Sequence, residues 1–327
     1  MRDDAERAPA DRVSLGAIAF ATAWLLVAAP ASADCDDPAL TAAAAEALAS
    51  GAEDLIALAR AAGSTLPTVR GLRASEGDDA RVRRFVEALA ARAGAPIECG
   101  EASSEGRRLV LAGPRAATLE VEADRVRVEL AEGWSAPRLY VRDGEGNTYE
   151  TAVERGHAAL PSDLVRPLAI QIVATGPGGP RPVAEHRGLE DAPDRAVPDS
   201  DEPIPVRLRR LRVSAGVSEL RPNRLLERVA ARHAAEVCRE GRVAHVGEGG
   251  DPVERLARAG VRARHVGEAV ARASDLAGAY AAMLRSPSHR AALTDRRMTD
   301  VGVAGARGRC LVVLLAAWPR AIPFDGR

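Results

Sequence analysis

The chain has 327 residues, 46% of them apolar but only 3% aromatic, and a formal net charge of −1. That length accommodates two or three domains with cores of Ala, Val and Leu, and it leaves few aromatic platforms for stacking. All 45 basic residues are arginine, which excludes P-loop nucleotide binding, Ser-Lys dyads and Schiff-base catalysis, because each needs an amine.

Residues 1–33 read as an export signal. An arginine-containing start leads into "LGAIAFATAWLLVAAP", too short for a comfortable membrane span, and "ASA" supplies the small residues of a cleavage site near Ala33. A soluble secreted or periplasmic chain is expected after cleavage. Export makes Cys35, Cys99, Cys238 and Cys310 candidates for disulfides, with no CxxC spacing to suggest a thiolate metal site. Four cysteines allow three connectivities; pairing Cys35 with Cys99 and Cys238 with Cys310 keeps each bridge inside one compositional half.

Residues 34–105 are expected to be helical. Asp37 and Pro38 form a start signal, Gly63 a stop, and Val82, Phe85, Val86 and Leu89 a second apolar stripe. Over 106–176 the pattern shifts to short alternating runs, clearest in "ATLEVEADRVRVELAE", predicting a small antiparallel β domain of sandwich type. Residues 177–203 are dense in Pro, Gly and acids and read as an extended linker. His157 and His186 are given surface positions without a role. Charge divides the chain as well: residues 34–203 carry 19 Arg against 30 acids, and residues 204–327 carry 23 Arg against 12. The acidic half is therefore expected to contact the basic half, or the basic half an anionic envelope surface. Nucleic acid is not expected, since the basic half offers only Tyr280, Trp318 and Phe324 for stacking.

From 204 to 320 marked helices alternate with glycine-bounded loops. Asn223 caps a helix with an inward stripe of Leu226, Ala230, His233 and Val237, where His233 reads as a core histidine with satisfied nitrogens. Asp251, Pro252 and Glu254 announce another helix, and Leu276, Tyr280, Met283 and Leu284 mark a third. "TDVGVAGARGRCLVVLLAA" reads as two strands, the second so apolar that it belongs in the middle of a sheet. In "SPSHRAAL", Ser286 is expected to cap a helix with Pro287 in its first turn, placing His289 where a capping box would carry Glu or Gln.

The ordered stretches "LRRLRVSAGVSELRPNRLLERVAARHAAEVCREGRVAHV", "GEA", "MLRSPSHRAAL" and "DVGVAGA" resemble the CAP superfamily of cysteine-rich secretory proteins, antigen 5 and plant pathogenesis-related 1 proteins. The resemblance covers Val206 to Trp318. It implies an α-β-α sandwich, and thus an α+β chain overall, with a cleft that holds two histidines and acidic residues and in some members binds zinc. Residue by residue, His245 matches the first histidine, Glu268 the glutamate and His289 the second histidine. Ser286 stands near the place of a second acid, while Val243, Ala269, Met283 and Val313 replace polar or aromatic supports.

The candidate cleft residues are therefore His245, Glu268, His289 and Ser286, the first three also being the candidate zinc ligands. A helix N-terminus disfavours imidazolium, so His289 is expected to be neutral, and Glu268 to steady either histidine or join it on a metal. His265 is expected to be solvated in an arginine-rich loop. Two functions compete. One is a binding module for a small molecule, a lipid or a cell-envelope component. The other is a metal-assisted hydrolase using the same His245, Glu268 and His289 cluster; Ser286 beside His289 is explained more simply as a helix cap than as a nucleophile. Binding leads, because catalysis depends on preorganised supports and those are thinned here.

Overall fold

The computed structural model describes residues 35–188 and 202–318; the expected export signal lies outside them. An Asp-Pro start opens the first helix: Asp37 accepts from the Leu40 amide at 2.8 Å and Pro38 sits in the first turn of α1 (Pro38–Ser50). There follow α2 (Leu55–Ala61), β1 (Arg70–Ser75), α3 (Asp79–Ala93), β2 (Ile97–Ser104) and β3 (Arg107–Pro114). These strands form an antiparallel sheet in the order β1-β3-β2.

The helical expectation for 34–105 is thus only partly met, and the boundary at 105/106 falls inside the β2–β3 hairpin. The reason lies in β3. Leu109 and Leu111 pack into the core under α1, while Val110 and Ala112 pack beside Val82 and Val86 of α3. A strand buried on both faces needs a neighbour along each edge, and the weakly patterned segments 70–75 and 97–104 supply them. Glu105 and Gly106 both take positive φ, at 53° and 73°, the backbone a tight hairpin turn requires.

The next strands are β4 (Ala117–Val121), β5 (Arg125–Leu130), β6 (Ser135–Arg142), β7 (Thr148–Ala152), β8 (His157–Ala159), β9 (Ala169–Gly176) and β10 (Gly179–Arg187). Two antiparallel sheets, β4-β5-β8 and β10-β9-β6-β7, share one core that includes Val126, Val128, Leu139, Ile170 and Ile172. The linker expected from 177 instead begins as β10, whose Val183 and Ala184 join that core. Its prolines are tolerated because β10 is an edge strand with an irregularity between Pro182 and Ala184. His186 is exposed on this strand.

The basic half contains α4 (Ile204–Ser214), β11 (Arg221–Pro222), α5 (Arg224–Glu240), α6 (Pro252–Arg258), β12 (His265–Arg272), α7 (Leu276–Arg285), α8 (Pro287–Leu293), β13 (Asp300–Ala306) and β14 (Cys310–Ala317). The sheet runs β11-β13-β14-β12, with the apolar β14 inside it. Leu311, Val313 and Leu315 of β14 face α4, α7 and α8, whereas Val312, Leu314 and Ala316 face α5 and α6. Period-2 alternation on one strand therefore feeds two cores, and three layers result: helices, sheet, helices. Each fully buried Leu or Val contributes about 1.5–3 kcal/mol. Cys35 bonds to Cys99, and Cys238 of α5 to Cys310 of β14. Among the described residues no helix is long and apolar enough to cross a membrane.

Layer contact is closest at Gly302 of β13, where a Cβ would collide with the backbone of Leu226 and Glu227 in α5. Gly302→Ala is expected to destabilise the protein by about 1–3 kcal/mol through overpacking. An unchanged midpoint in urea denaturation would contradict this packing.

Candidate functional site

Glu268 faces α5 and α6 because it alternates along β12 in step with Val266 and Val270, which pack there. Its side chain is only 1% exposed, so its charge requires partners. One oxygen lies 3.0 Å from His245 Nδ1, at the end of the loop that leaves α5. The other accepts from Arg255 Nη2 of α6. The same guanidinium donates through Nη1 to the carbonyls of His245 at 2.8 Å and Gly250 at 2.6 Å. Arg255 therefore holds the carboxylate and folds the loop that delivers His245. Burial pushes the Glu268 carboxyl up, but His245 and Arg255 outweigh it and keep it below the usual carboxylate range.

A further pair braces this centre. His233 is buried, with Nδ1 3.1 Å from Glu236 Oε2, Nε2 2.9 Å from the Ala244 carbonyl and 3.9 Å from Glu268. Glu236 also accepts from the Glu248 amide. The α5–α6 loop is thus gripped from beneath at Ala244 and Glu248, and from the side by Arg255. The helix α6 that carries Arg255 is itself fixed by a complete capping box between Asp251 and Glu254.

His289 comes within electrostatic reach of His245 and Glu268, yet among the described residues no hydrogen bond joins it to either. The residue is half-buried, while its Nδ1 is shut off from solvent without a partner. Burial, then the neighbouring His245, push its imidazole down to about 4. The ring is neutral as expected, but burial is the leading cause, where the sequence argument invoked the helix N-terminus. His265 opens β12 half-buried instead of lying in a loop.

Ser286 differs from expectation. Its side chain makes no cap bond to α8; the hydroxyl donates to Gln171 Oε1 of β9 at 3.1 Å. Gln171 Oε1 also accepts from the Ser288 amide at 3.1 Å, so the cap of α8 comes from another part of the chain. With its proton directed at Gln171, Ser286 is not paired with His289.

The zinc set proposed from the resemblance does not fit this geometry. Both Glu268 oxygens are engaged, one by a guanidinium cation, and among the described residues no three His, Cys, Asp or Glu side chains are grouped to hold a metal. Sequence reasoning missed Arg255, Glu236 and Gln171. Arg255 left a signal: it stands beside Leu256 on the inward side of α6, and an arginine buried there calls for an acid.

The His289 ring also sets a pH dependence. The folded protein keeps it neutral down to about pH 4, whereas an unfolded chain protonates near 6.5. Between those values the unfolded state binds more protons, so stability present above about pH 6.5 is lost as pH falls toward 4, by about 3 kcal/mol in all. Urea denaturation at pH 7 and pH 4.5 is expected to show a steeper loss in the wild type than in His289→Leu. Equal losses would contradict the assignment.

Residues 207–314 match the family model of the Cysteine-rich secretory protein family, CAP. The structure is similar to an outer surface protein from Borrelia burgdorferi, at 22% identity and TM-score 0.33, covering 36% of this chain and 90% of that one. It is similar to an extracellular protein containing an SCP domain from Bacillus anthracis, at 18% identity and TM-score 0.33, covering 62% and 67%. A cysteine-rich secretory protein from Staphylococcus aureus matches at 11% identity and TM-score 0.27, covering 71% and 90%. No curated protein matches. The family match is confined to residues 207–314, in the carboxy-terminal half of the chain.

Proposed function

We propose that the protein is an exported binding module whose CAP cleft, built from His245, Glu268 and His289, takes a small molecule, a lipid or a cell-envelope component by hydrogen bonding. The observation that carries this reading is an asymmetry within the cluster. Each Glu268 oxygen has a partner, His245 on one and Arg255 on the other, whereas His289 Nδ1 is buried and unpartnered. A buried polar atom left unpaired costs about 1–3 kcal/mol, a deficit that a guest with a hydroxyl or carbonyl removes once it displaces the side chains that shut Nδ1 off from solvent. Arg255 already balances the Glu268 charge, so the cluster favours a neutral guest over an ionic one. Export rests on the apolar run and small residues of 1–33, and a soluble secreted or periplasmic location follows from it.

The hydrolase alternative gains no support from the geometry. Glu268 is a poor general base, because His245 and Arg255 hold its carboxyl below the usual carboxylate range. The serine that would serve as nucleophile donates to Gln171 instead.

Calorimetry of the mature protein with Zn²⁺ and with a neutral monoacylglycerol and its fatty acid as probes tests the proposal. The neutral probe is expected to bind saturably, and His289→Phe to weaken it about tenfold, the effect of one lost hydrogen bond to a buried group. Stoichiometric Zn²⁺ uptake, lost in both His245→Ala and His289→Phe, or failure of the neutral probe to bind, would overturn it.

A further inference from the structure

The helix that carries His289 is only 7 residues long, too short to hold itself in water. Its two ends are anchored from different parts of the chain. At the C-terminal end Arg212 of α4 donates to the Leu293 carbonyl at 2.7 Å and to the Asp295 carbonyl at 3.2 Å. At the N-terminal end the anchor is Gln171 of β9, which lies outside the CAP domain altogether. Along the flank Arg290 Nε donates to the Gly146 carbonyl in the β6–β7 turn at 3.2 Å, and α8 packs across β6, β7 and β9.

Gln171 is itself fixed. Its face of β9 is opposite to that of Ile170 and Ile172, which fill the sandwich core, and the side chain is 1% exposed. Its Nε2 donates to Glu185 Oε1 of β10 at 2.6 Å, and Glu185 Oε2 accepts from Arg60 of α2 at 2.7 Å and from Arg187 at 3.4 Å. The Glu185 contact forces the Gln171 amide to present its oxygen to α8, because the nitrogen is already committed. The result is a chain of polar contacts buried at its middle: Arg60, Glu185, Gln171, Ser288 amide, one residue before His289.

We propose that Gln171 is a positioning residue for the cleft: the amino-terminal sandwich caps the helix that presents His289, so it is a structural part of the binding site. As a statement about binding this rests on the function proposed above; as a statement about α8 it stands apart from it. Without Gln171 the Ser288 amide loses its acceptor. The buried Ser286 hydroxyl, which donates to the same Gln171 oxygen, loses its partner as well, so both groups at the start of α8 depend on that one carboxamide.

Amide hydrogen exchange on the full mature chain reads the cap directly. Gln171→Leu is expected to speed exchange at Ser288 about fivefold to thirtyfold, the factor that loss of a helix cap carries, while protection in α5 and β14 stays as in the wild type. The double swap Gln171→Glu with Glu185→Gln keeps every donor and acceptor matched: Glu at 171 accepts from Ser286 and Ser288, and Gln at 185 bridges Glu to Arg60. It is expected to restore Ser288 protection. Should Gln171→Leu fail to fold, Gln171→Asn shortens the arm, keeps the polarity, and must speed exchange at Ser288 in the same way. Unchanged exchange at Ser288, or a uniform loss of protection that the swap does not reverse, would overturn the proposal. Binding of the neutral probe is measured in parallel. A wild type that binds nothing refutes the function while the exchange result still decides the role of Gln171.

Discussion

A carboxylate sits in the middle of a packed sheet face, and the site is organised around keeping its charge. Glu268 lies among valines and leucines under α5 and α6, where an unpaired ion would cost several kcal/mol. His245 and Arg255 answer it, one per oxygen. Because Arg255 also binds the carbonyls at His245 and Gly250, the same interaction that neutralises the carboxylate shapes the loop between α5 and α6. His233 and Glu236 extend the grip by one more layer. The loop has little apolar surface of its own and owes its conformation to these charges.

His289 reaches the same centre by a different route. It rides on a short helix held at one end by the CAP domain and at the other by the amino-terminal sandwich. Two halves that differ sharply in charge meet here through a carboxamide, hydroxyls and backbone groups, with a buried Glu185 one step behind. Charge asymmetry between the halves shapes their surfaces; the contact next to the site is made by hydrogen bonds whose directions fix where α8 begins.

Much of the fold was legible where a pattern has one physical meaning. The apolar run of β14 foretold a central strand, the Asp-Pro starts foretold α1 and α6, and the position of His233 in an apolar stripe foretold its burial. Errors arose where tertiary pairing overrides local pattern. Residues 70–75 and 97–104 have weak alternation and become strands only because β3 needs neighbours on both edges; the Pro-rich start of the supposed linker becomes β10 because an edge strand tolerates proline. In the site, His245, Glu268 and His289 were named from motif order, but Arg255 and Gln171 were not. Their roles depend on contacts across 13 and 117 residues of chain, a distance that no local pattern encodes. Ser286 illustrates the converse: its local capping signal is sound, yet a buried acceptor from another strand competes for the hydroxyl and wins.

The pairing of Arg255 with Glu268 is the claim on which the rest stands, and a double-mutant cycle measures it. Glu268→Gln, Arg255→Met and the combined variant, compared by equilibrium denaturation, isolate the coupling between the two side chains. The account predicts that each single change is strongly destabilising, by about 3–5 kcal/mol, and that the second change restores much of the loss because no unpaired charge remains buried. Losses that simply add would mean that the two groups do not sustain each other, and the site would lack the centre described here.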